Sequence, residues 1–448
     1  MTILKVKNQS FPATAYTFGE PNQPVIIVKD KALLMDTDMS VLLDGDVEVR
    51  LDLLPNPHIH MHFTNQKHLT DIEQVKLLKS LEAVEFFIKL GSNEREFKVY
   101  SKRVSLSNEG SSLILASYSE PIIGFGDNTT EIHHIVFHLF NFKDILGMSS
   151  TIEERTEETG RAFYRIHHVN LKTDNWVIEL RSVVESGRNF KKLENEGGYG
   201  LTHIGCLKKI DDKTFSGREA EEMLADLGLF FSFAKGVFCK PICAVGFDSF
   251  NNRVWESWSS PKKSWSNPTS WFNKFHPEQL ENLFSGFIDR LTDTDLGKSF
   301  RESIYWYLNA NDPNQAAETR IILTQCALEL LSFVYLTQKL KSITVKEFKR
   351  NAAAKNYRLF FSSLKIPVDI SNNYPELKVV AKKFDWGLDA PHAITEVRNA
   401  LIHPDKKTYG EFEAAVVVET LNLSLWFLEL SILRLCGYSE PYNNRILF

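Results

Sequence analysis

ITEVRNALIHP, residues 394–404, decides how the C-terminal third of the chain folds. Ile394, Val397 and Leu401 recur at helical spacing and should face a core. Pro404 cannot continue a helix and predicts its end. Asp389-Ala-Pro391 supplies the start. Asn399 and His403 lie four residues apart and are expected on one face. Arg398 lies about 140° around the helix from His403, but its long side chain can curl back. A fixed cation, an amide and an imidazole are therefore expected together near a helix end.

The same periodicity extends on both sides. Helices are predicted over 277–291, 297–310, 313–341, 375–386, 390–403 and 410–436, with Asp312-Pro313 as a helix start and 366–373 as a loop. Four helices between 313 and 436 make a bundle of natural size. Ile321, Ile322, Gln325, Leu328, Glu329 and Ser332 share one face, mostly apolar. Ala414–Cys436 is the most apolar stretch. Glu419, Asn422 and Glu429 interrupt it, and a charge at bilayer depth costs about 2.5 kcal/mol or more, so it reads as a buried helix.

Upstream of Pro277 the pattern is that of strands. PVIIVKD, VEVRLDLL, HIHMHFT, EFKVYSK, SSLILASY and IHHIVFHLF alternate with turn residues, among them Asp44-Gly45 and Glu109-Gly110. One helix is predicted within this region, Leu69 to Leu90, with apolar residues at 72, 75, 78, 81 and 84. Ser149–Arg161 is polar and charged and reads as an exposed loop or a boundary between lobes. FYRIHHV and WVIELRSVV form a second strand group. Ser216-Gly-Arg-Glu219 fits a capping box for a helix that Gly236 closes. VFCKPICAVGFD and RVWESW read as a hairpin. The expected fold is an α+β multidomain chain: a strand-rich lobe over 1–150, a second α+β lobe with a Trp-rich connector over 151–295, and a helical bundle over 296–448.

Composition narrows the function. The chain has 448 residues, 43% apolar and 24% charged, ordinary for a globular protein with two to four domains. A net charge of −5 does not favour wholesale capture of nucleic acid or anionic membrane, so a polyanion site must be a local patch. Five cysteines without close pairing point to a reducing compartment. The start, MTILKVKNQSFPATA, has no signal-peptide apolar core. A soluble, cytoplasmic protein with no membrane partner is expected.

The trio at the end of the 390–403 helix suits RNA cleavage. The 2′-hydroxyl must lose a proton and the leaving 5′-oxygen must gain one. Histidine can serve either role near neutral pH. Arg398 can hold the phosphate and offset its developing charge, and Asn399 can orient the imidazole or donate to a phosphate oxygen. Glu329, mid-helix on the mostly apolar face, could orient His403 or pair with Arg398. The scheme needs no metal and no cofactor. The plainer reading is helix capping and surface charge, and Arg161 with His167 or His168 shows the same spacing on a strand.

Arg398-Asn399-Ala-Leu-Ile-His403 resembles the Arg-x4–6-His motif of the HEPN superfamily, and 300–448 resembles its helical bundle. The resemblance implies a metal-independent endoribonuclease whose catalytic Arg and His are Arg398 and His403, with Asn399 as polar neighbour. It implies RNA, tRNA among the options, as substrate, and a homodimer through the bundle. The layout also resembles ApeA-like defence proteins, which implies an antiviral, abortive-infection effector whose N-terminal region senses an unknown trigger. The alternative is a non-catalytic HEPN dimerisation or partner-binding module in a defence or toxin–antitoxin system. A carbohydrate or small-ligand binder is a third reading.

Lys339, Lys341, Lys346, Lys349, Arg350, Lys355 and Arg358 face one acid, Glu347. Lys346, Lys349, Arg350, Lys355 and Arg358 could guide RNA, with Asp405-Lys406-Lys407 extending the surface, or they could be a solvated helix end. His58, His60 and His62 share a strand face and can bind a metal if a neighbouring strand adds a ligand, with His133, His134, His138, His167 and His168 as options. A plain polar face is the simpler reading. Cys239 and Cys243 lack a second pair at zinc spacing. Trp255, Trp258, Trp265 and Trp271 read as junction packing before base stacking. Glu196-Gly-Gly-Tyr-Gly200 reads as a turn.

Overall fold

The computed structural model describes residues 5–6, 9–10, 14–67, 69–81, 86–91, 95–107, 110–147, 149–156, 160–387, 389–403 and 412–447. A strand-rich N-terminal half precedes a helical C-terminal region. Two short strands, β1 (Lys5–Val6) and β2 (Gln9–Ser10), come first. Six more, β3 (Val25–Met35), β4 (Val41–Asp52), β5 (His58–Asn65), β6 (Phe86–Leu90), β7 (Glu96–Ser107) and β8 (Gly110–Ser117), close into a barrel in the order β3-β4-β5-β8-β7-β6. Its interior follows the period of two. Val47, Val49 and Leu51 on β4 and Ile59, Met61 and Phe63 on β5 are buried, while His58, His60 and His62 stand on the outer face.

Two expectations in this lobe fail for the same reason. Asp44-Gly45 is no turn: β4 runs through it, pairing Leu33 with Asp44 and Ala32 with Gly45. The 69–90 helix stops as α1 (Asp71–Leu81), and Phe86, Ile88 and Leu90 alternate inward to complete the barrel. The stripe that suggested the longer helix points outward, with Ile72 70% exposed. Closure of the barrel selects the strand alternation over the local helical spacing. Val84 and Glu109 lie outside the described residues.

The second sheet takes β9 (Ile122–Phe125), β11 (His134–Phe140), β12 (Ser149–Thr156), β13 (Gly160–Lys172), β14 (Trp176–Ser182), β15 (Leu201–Lys209), β17 (Pro241–Phe247) and β18 (Arg253–Trp258), with β1 and β2 at one edge. β10 (Glu131–Ile132) pairs with β16 (Phe215–Ser216) beside it. Ser149–Thr156 is a strand and not a loop: β12 and β13 pair antiparallel from Ser149↔His167 to Thr156↔Gly160. The 241–258 hairpin forms as expected. α2 (Ser186–Glu196), absent from the sequence reading, precedes the turn at Gly197 and Gly198. α3 (Gly217–Lys235) opens with the reciprocal Ser216–Glu219 capping box and closes on Gly236 at φ 89°.

This sheet separates two cores. Ile135, Phe137 and Leu139 of β11 face a core shared with α3 and the C-terminal helices. Val136 and Phe140 face a core shared with the barrel. His138 lies on the barrel side, fully buried: Nδ1 lies 3.0 Å from the Cys243 carbonyl and Nε2 accepts from the Ala15 N–H. Burial pushes its pKa down to about 4, so it is a satisfied core histidine.

The C-terminal region holds α4 (Glu278–Leu291), α5 (Gly297–Ala310), α6 (Ala317–Val334) with a π-turn at Tyr335–Lys339, α7 (Val345–Arg350), α8 (Ala353–Ser363), α9 (Pro375–Lys383), α10 (Ala390–Ile402) and α11 (Ala414–Leu435). Among the described residues six α-helices, not four, lie between 313 and 436. α7 and α8 were hidden by the cationic run, although Thr344 and Glu347 form a capping box and Phe348, Tyr357, Phe360 and Phe361 are buried. α6 begins at Ala317 and not at Pro313, because Asp312 Oδ1 accepts from the Asn314 N–H and caps a separate turn. Ala317–Lys339 and Ala414–Leu435 are long and apolar enough to cross a membrane; half of the first and 83% of the second is buried in the fold.

Two buried acids tie the parts together. Glu429 of α11 receives Arg445 Nε and Nη2 at 2.7 and 2.6 Å and the Tyr307 hydroxyl at 2.5 Å. Glu120 Oε1 accepts from the Ile59 N–H at 2.9 Å and lies 3.0 Å from His58 Nδ1, and Oε2 takes the Ser260 N–H and hydroxyl at 2.6 Å. Burial raises the Glu120 pKa, but these bonds outweigh it and hold the carboxyl at about 2. Replacing Glu429 with Ala should cost about 3–5 kcal/mol in urea unfolding, since Arg445 is left buried and unpaired. The Glu120 contribution is complete above its ordinary value of 4.5 and is lost as pH falls through about 2. Glu120→Gln should therefore remove about 3 kcal/mol at pH 7 and flatten the loss of stability across that acid window, read as unfolding midpoint against pH.

Candidate functional site

α10 carries the Arg–Asn–His trio, and its neighbours fix it along its length. Asp389 caps its start, accepting from the His392 N–H at 3.2 Å, and also binds Arg358, with Nε at 2.9 Å. The buried Gln325 amide of α6 donates to the Ile394 carbonyl. Ile394 and Val397 are fully buried and Leu401 packs against the same core, as the spacing predicts. Pro404 and Asp405-Lys406-Lys407 lie outside the described residues.

Arg398 is half-buried. Its Nη1 donates to Asn399 Oδ1 at 3.2 Å, and its Nε is buried without a hydrogen-bond partner among the described residues. Asn399 Nδ2 in turn reaches Glu396 Oε1 at 3.5 Å. His403 caps the helix end: its N–H donates to the Asn399 carbonyl at 2.9 Å, but its backbone is extended (φ −107°, ψ 114°) and its side chain is exposed. Among the described residues no hydrogen bond joins the imidazole to Arg398 or Asn399. The helix thus holds the backbone of His403 and leaves its ring free.

Next to Arg398 a cleft of about 540 Å³ opens, lined by Trp306, Cys326, Glu329, Phe333, Lys349 and Tyr357 among others. Glu329 is exposed on its rim, and among the described residues no ion pair within 4 Å joins it to Arg398. Both charges still reach the same two groups. Burial pushes the Cys326 thiol up, with Arg398 opposing and Glu329 adding. Burial also pushes the Tyr357 hydroxyl up, again with Glu329 adding and Arg398 opposing. Arg398, Glu329, Cys326 and Tyr357 therefore form one electrostatic neighbourhood. Neither Cys326 nor Tyr357 is among the predicted site residues: Cys326 lies three residues before Glu329 on the same helix face, and Tyr357 sits beside the basic run on α8, a helix the spacing does not predict.

The basic run divides. Lys339 pairs with Asp293 at 2.8 Å and Arg358 with Asp389, so both are committed to the fold. Lys346, Lys349, Arg350 and Lys355 are exposed, and Lys349 reaches the cleft. The tryptophans pack: Trp255, Trp258 and Trp271 are buried. Burial pushes the Cys239 and Cys243 thiols up to about 11 and about 12, which keeps them protonated and disfavours a thiolate zinc site. His133, His134, His138, His167 and His168 lie on or beside the ten-stranded sheet and not next to the barrel histidines. A larger cavity, about 910 Å³, lies away from α10 between residues 14–27 and the sheet, lined by Tyr16, Arg181, Asn189 and Arg253 among others.

These features define a two-core α+β chain with a mainly apolar cleft, edged by Glu329 and Lys349, in its helical region. Residues 127–269 match the YopA central domain family and residues 293–447 the YopA C-terminal domain family. The chain is also similar to the SPbeta prophage-derived uncharacterized protein YopA of Bacillus subtilis (strain 168), at 29% identity over 324 residues, which cover 71% of this chain and 69% of that protein. No solved structure matches. The first match begins just after the barrel, and the matches divide at the connector into the bundle.

Asp389→Ala removes both the cap of α10 and the partner of Arg358. It should lower stability by about 1–2 kcal/mol in urea unfolding, while Asp389→Asn, which keeps a capping oxygen, should recover most of the loss.

Proposed function

We propose that the chain is a metal-independent endoribonuclease of the HEPN type, with Arg398, Asn399 and His403 as its working residues. The observation that carries this reading is the guanidinium of Arg398, which among the described residues has one side-chain hydrogen bond and a buried Nε without a partner. Such a group is short of acceptors, and a phosphate supplies them in a matching geometry. His403, exposed five residues on, is free to take the 2′-hydroxyl proton. The oxygen then attacks phosphorus, the 5′-oxygen leaves with a proton, and a 2′,3′-cyclic phosphate results. Glu329 and Lys349 on the cleft rim orient the RNA, with Lys346, Arg350 and Lys355 as the approach surface.

In this reading the protein acts as a cytoplasmic antiviral effector, for which its five unpaired cysteines are suited. Two copies meet through their bundles, so that each exposed His403 lies near the other copy's motif. The barrel, on the far side of the sheet from the helices, receives the trigger. One observation favours a second reading, a non-catalytic partner-binding bundle: among the described residues no hydrogen bond holds the His403 ring against Arg398 or Asn399.

Expression of the parent, Arg398→Ala and His403→Ala, with total RNA run on a denaturing gel, separates the two. The nuclease reading expects discrete fragments from the parent and cleavage about a hundredfold slower or worse from each variant at matched melting temperature. Equal cleavage by a folded His403→Ala protein rejects it. The binding reading expects intact RNA throughout and weaker self-association in Arg398→Ala.

A further inference from the structure

The histidines on β5 take no part in the proposed cleavage, yet two of them converge on a carboxylate. His60 and His62 are two residues apart and so project from the same face of the barrel wall. β4 runs antiparallel beside them, with Arg50 opposite His60 and Glu48 opposite His62. Asp52, at the end of β4, places Oδ2 2.7 Å from His60 Nδ1 and 2.9 Å from His62 Nε2. The three donor atoms lie within 4.8 Å of one another. Their side chains are 12%, 18% and 19% exposed, sheltered but within reach of solvent.

We propose that Asp52, His60 and His62 form a binding site for one divalent transition-metal ion of the zinc type, with its fourth position open. Two imidazole nitrogens and one carboxylate oxygen are a donor set such ions prefer. Bonds of about 2.1 Å at tetrahedral angles place ligand atoms about 3.4 Å apart. The carboxylate therefore needs to draw back by roughly 0.5–0.7 Å, and the two imidazole nitrogens already lie within 4.8 Å of each other. Arg50 Nε, 3.0 Å from Asp52 Oδ1, forms an ion pair with the other oxygen and leaves Oδ2 directed at the ion.

Two cations oppose the ion and define its control. Lys102 Nζ lies 2.9 Å from His60 Nε2, and Arg50 Nη2 lies 2.9 Å from His62 Nδ1. While these far nitrogens accept from the cations, each imidazole presents its N–H to Asp52. With metal on the near nitrogen, the proton moves to the far one, where it repels the ammonium and the guanidinium. Lys102, exposed on β7, turns out into solvent, and Arg50 keeps its contacts to the Asp52 and Glu48 carboxylates. His58 stays out of the set, since its Nδ1 is engaged by Glu120.

The test uses the full chain, stripped with chelator, equilibrated with Zn²⁺ and assayed for retained metal. One equivalent is expected in the parent. His62→Ala and Asp52→Asn should each weaken binding by about tenfold or more, and Lys102→Ala should strengthen it by about threefold by removing the competing cation. Co²⁺ in place of Zn²⁺ should give visible absorption that His60→Ala abolishes, with circular dichroism showing that the variant is folded. A parent that retains no zinc at micromolar free metal overturns the site. So does equal retention by the parent and the His60→Ala/His62→Ala double variant.

Discussion

The burial of β11 on both faces is the constraint on which the rest of the structure depends. Every residue from Ile135 to Phe140 is buried. A strand in an antiparallel sheet usually keeps one polar face, and here neither is available. Odd positions feed the core beneath α3, α4 and the bundle, and even positions feed the core against the barrel. A shift of one residue would exchange the two sets and leave His138 facing the helices, away from Ala15 and Cys243. The register of β11 thus places barrel and helices on opposite sides of one sheet. The 910 Å³ cavity and the cleft lined by α6, α7 and α8 lie apart as a result.

The helical region adds a second, electrostatic constraint. Glu429 and Arg445 bring the chain terminus onto α11, while Arg445 also reaches the Thr269 carbonyl and Asn311. The connector, α5 and α11 therefore meet at one buried ion pair. Such a pair adds little net stability over apolar side chains, but it is costly to break and specifies one arrangement. α10 inherits that precision. It is capped by Asp389, held mid-length by Gln325 and buried along Val397, so Arg398 emerges at a fixed place while His403 is released.

Much of this was legible from residue order, and what was not has physical causes. α5 was read with its observed bounds, α3 with both caps, and the inward face of α10 residue by residue, because capping and periodicity are local. The barrel was not legible, because its closure depends on pairing over long separations. Asp44-Gly45 carries turn chemistry, yet the β3 pairing runs through it. Ser149–Thr156 is polar enough for a loop, yet β13 holds it as a strand. α7 and α8 were masked by charge. In the candidate site, the trio came from the motif, whereas Cys326 and Tyr357 needed the folded chain to bring α6 and α8 beside Arg398. Asp52 could not be matched to the histidine row, since it comes from the next strand at an offset set by the register.

β18 carries a further consequence. Trp255 and Trp258 are three residues apart on one strand, so their indoles leave opposite faces of the sheet. Trp255 belongs to the helix-side core and Trp258 to the barrel-side core, and both are fully enclosed. Of the chain's eight tryptophans, this strand therefore supplies one native fluorophore to each half of the interior. With the other tryptophans replaced, their emission maxima would show in an ordinary spectrometer whether the two interiors melt as one cooperative unit or in sequence.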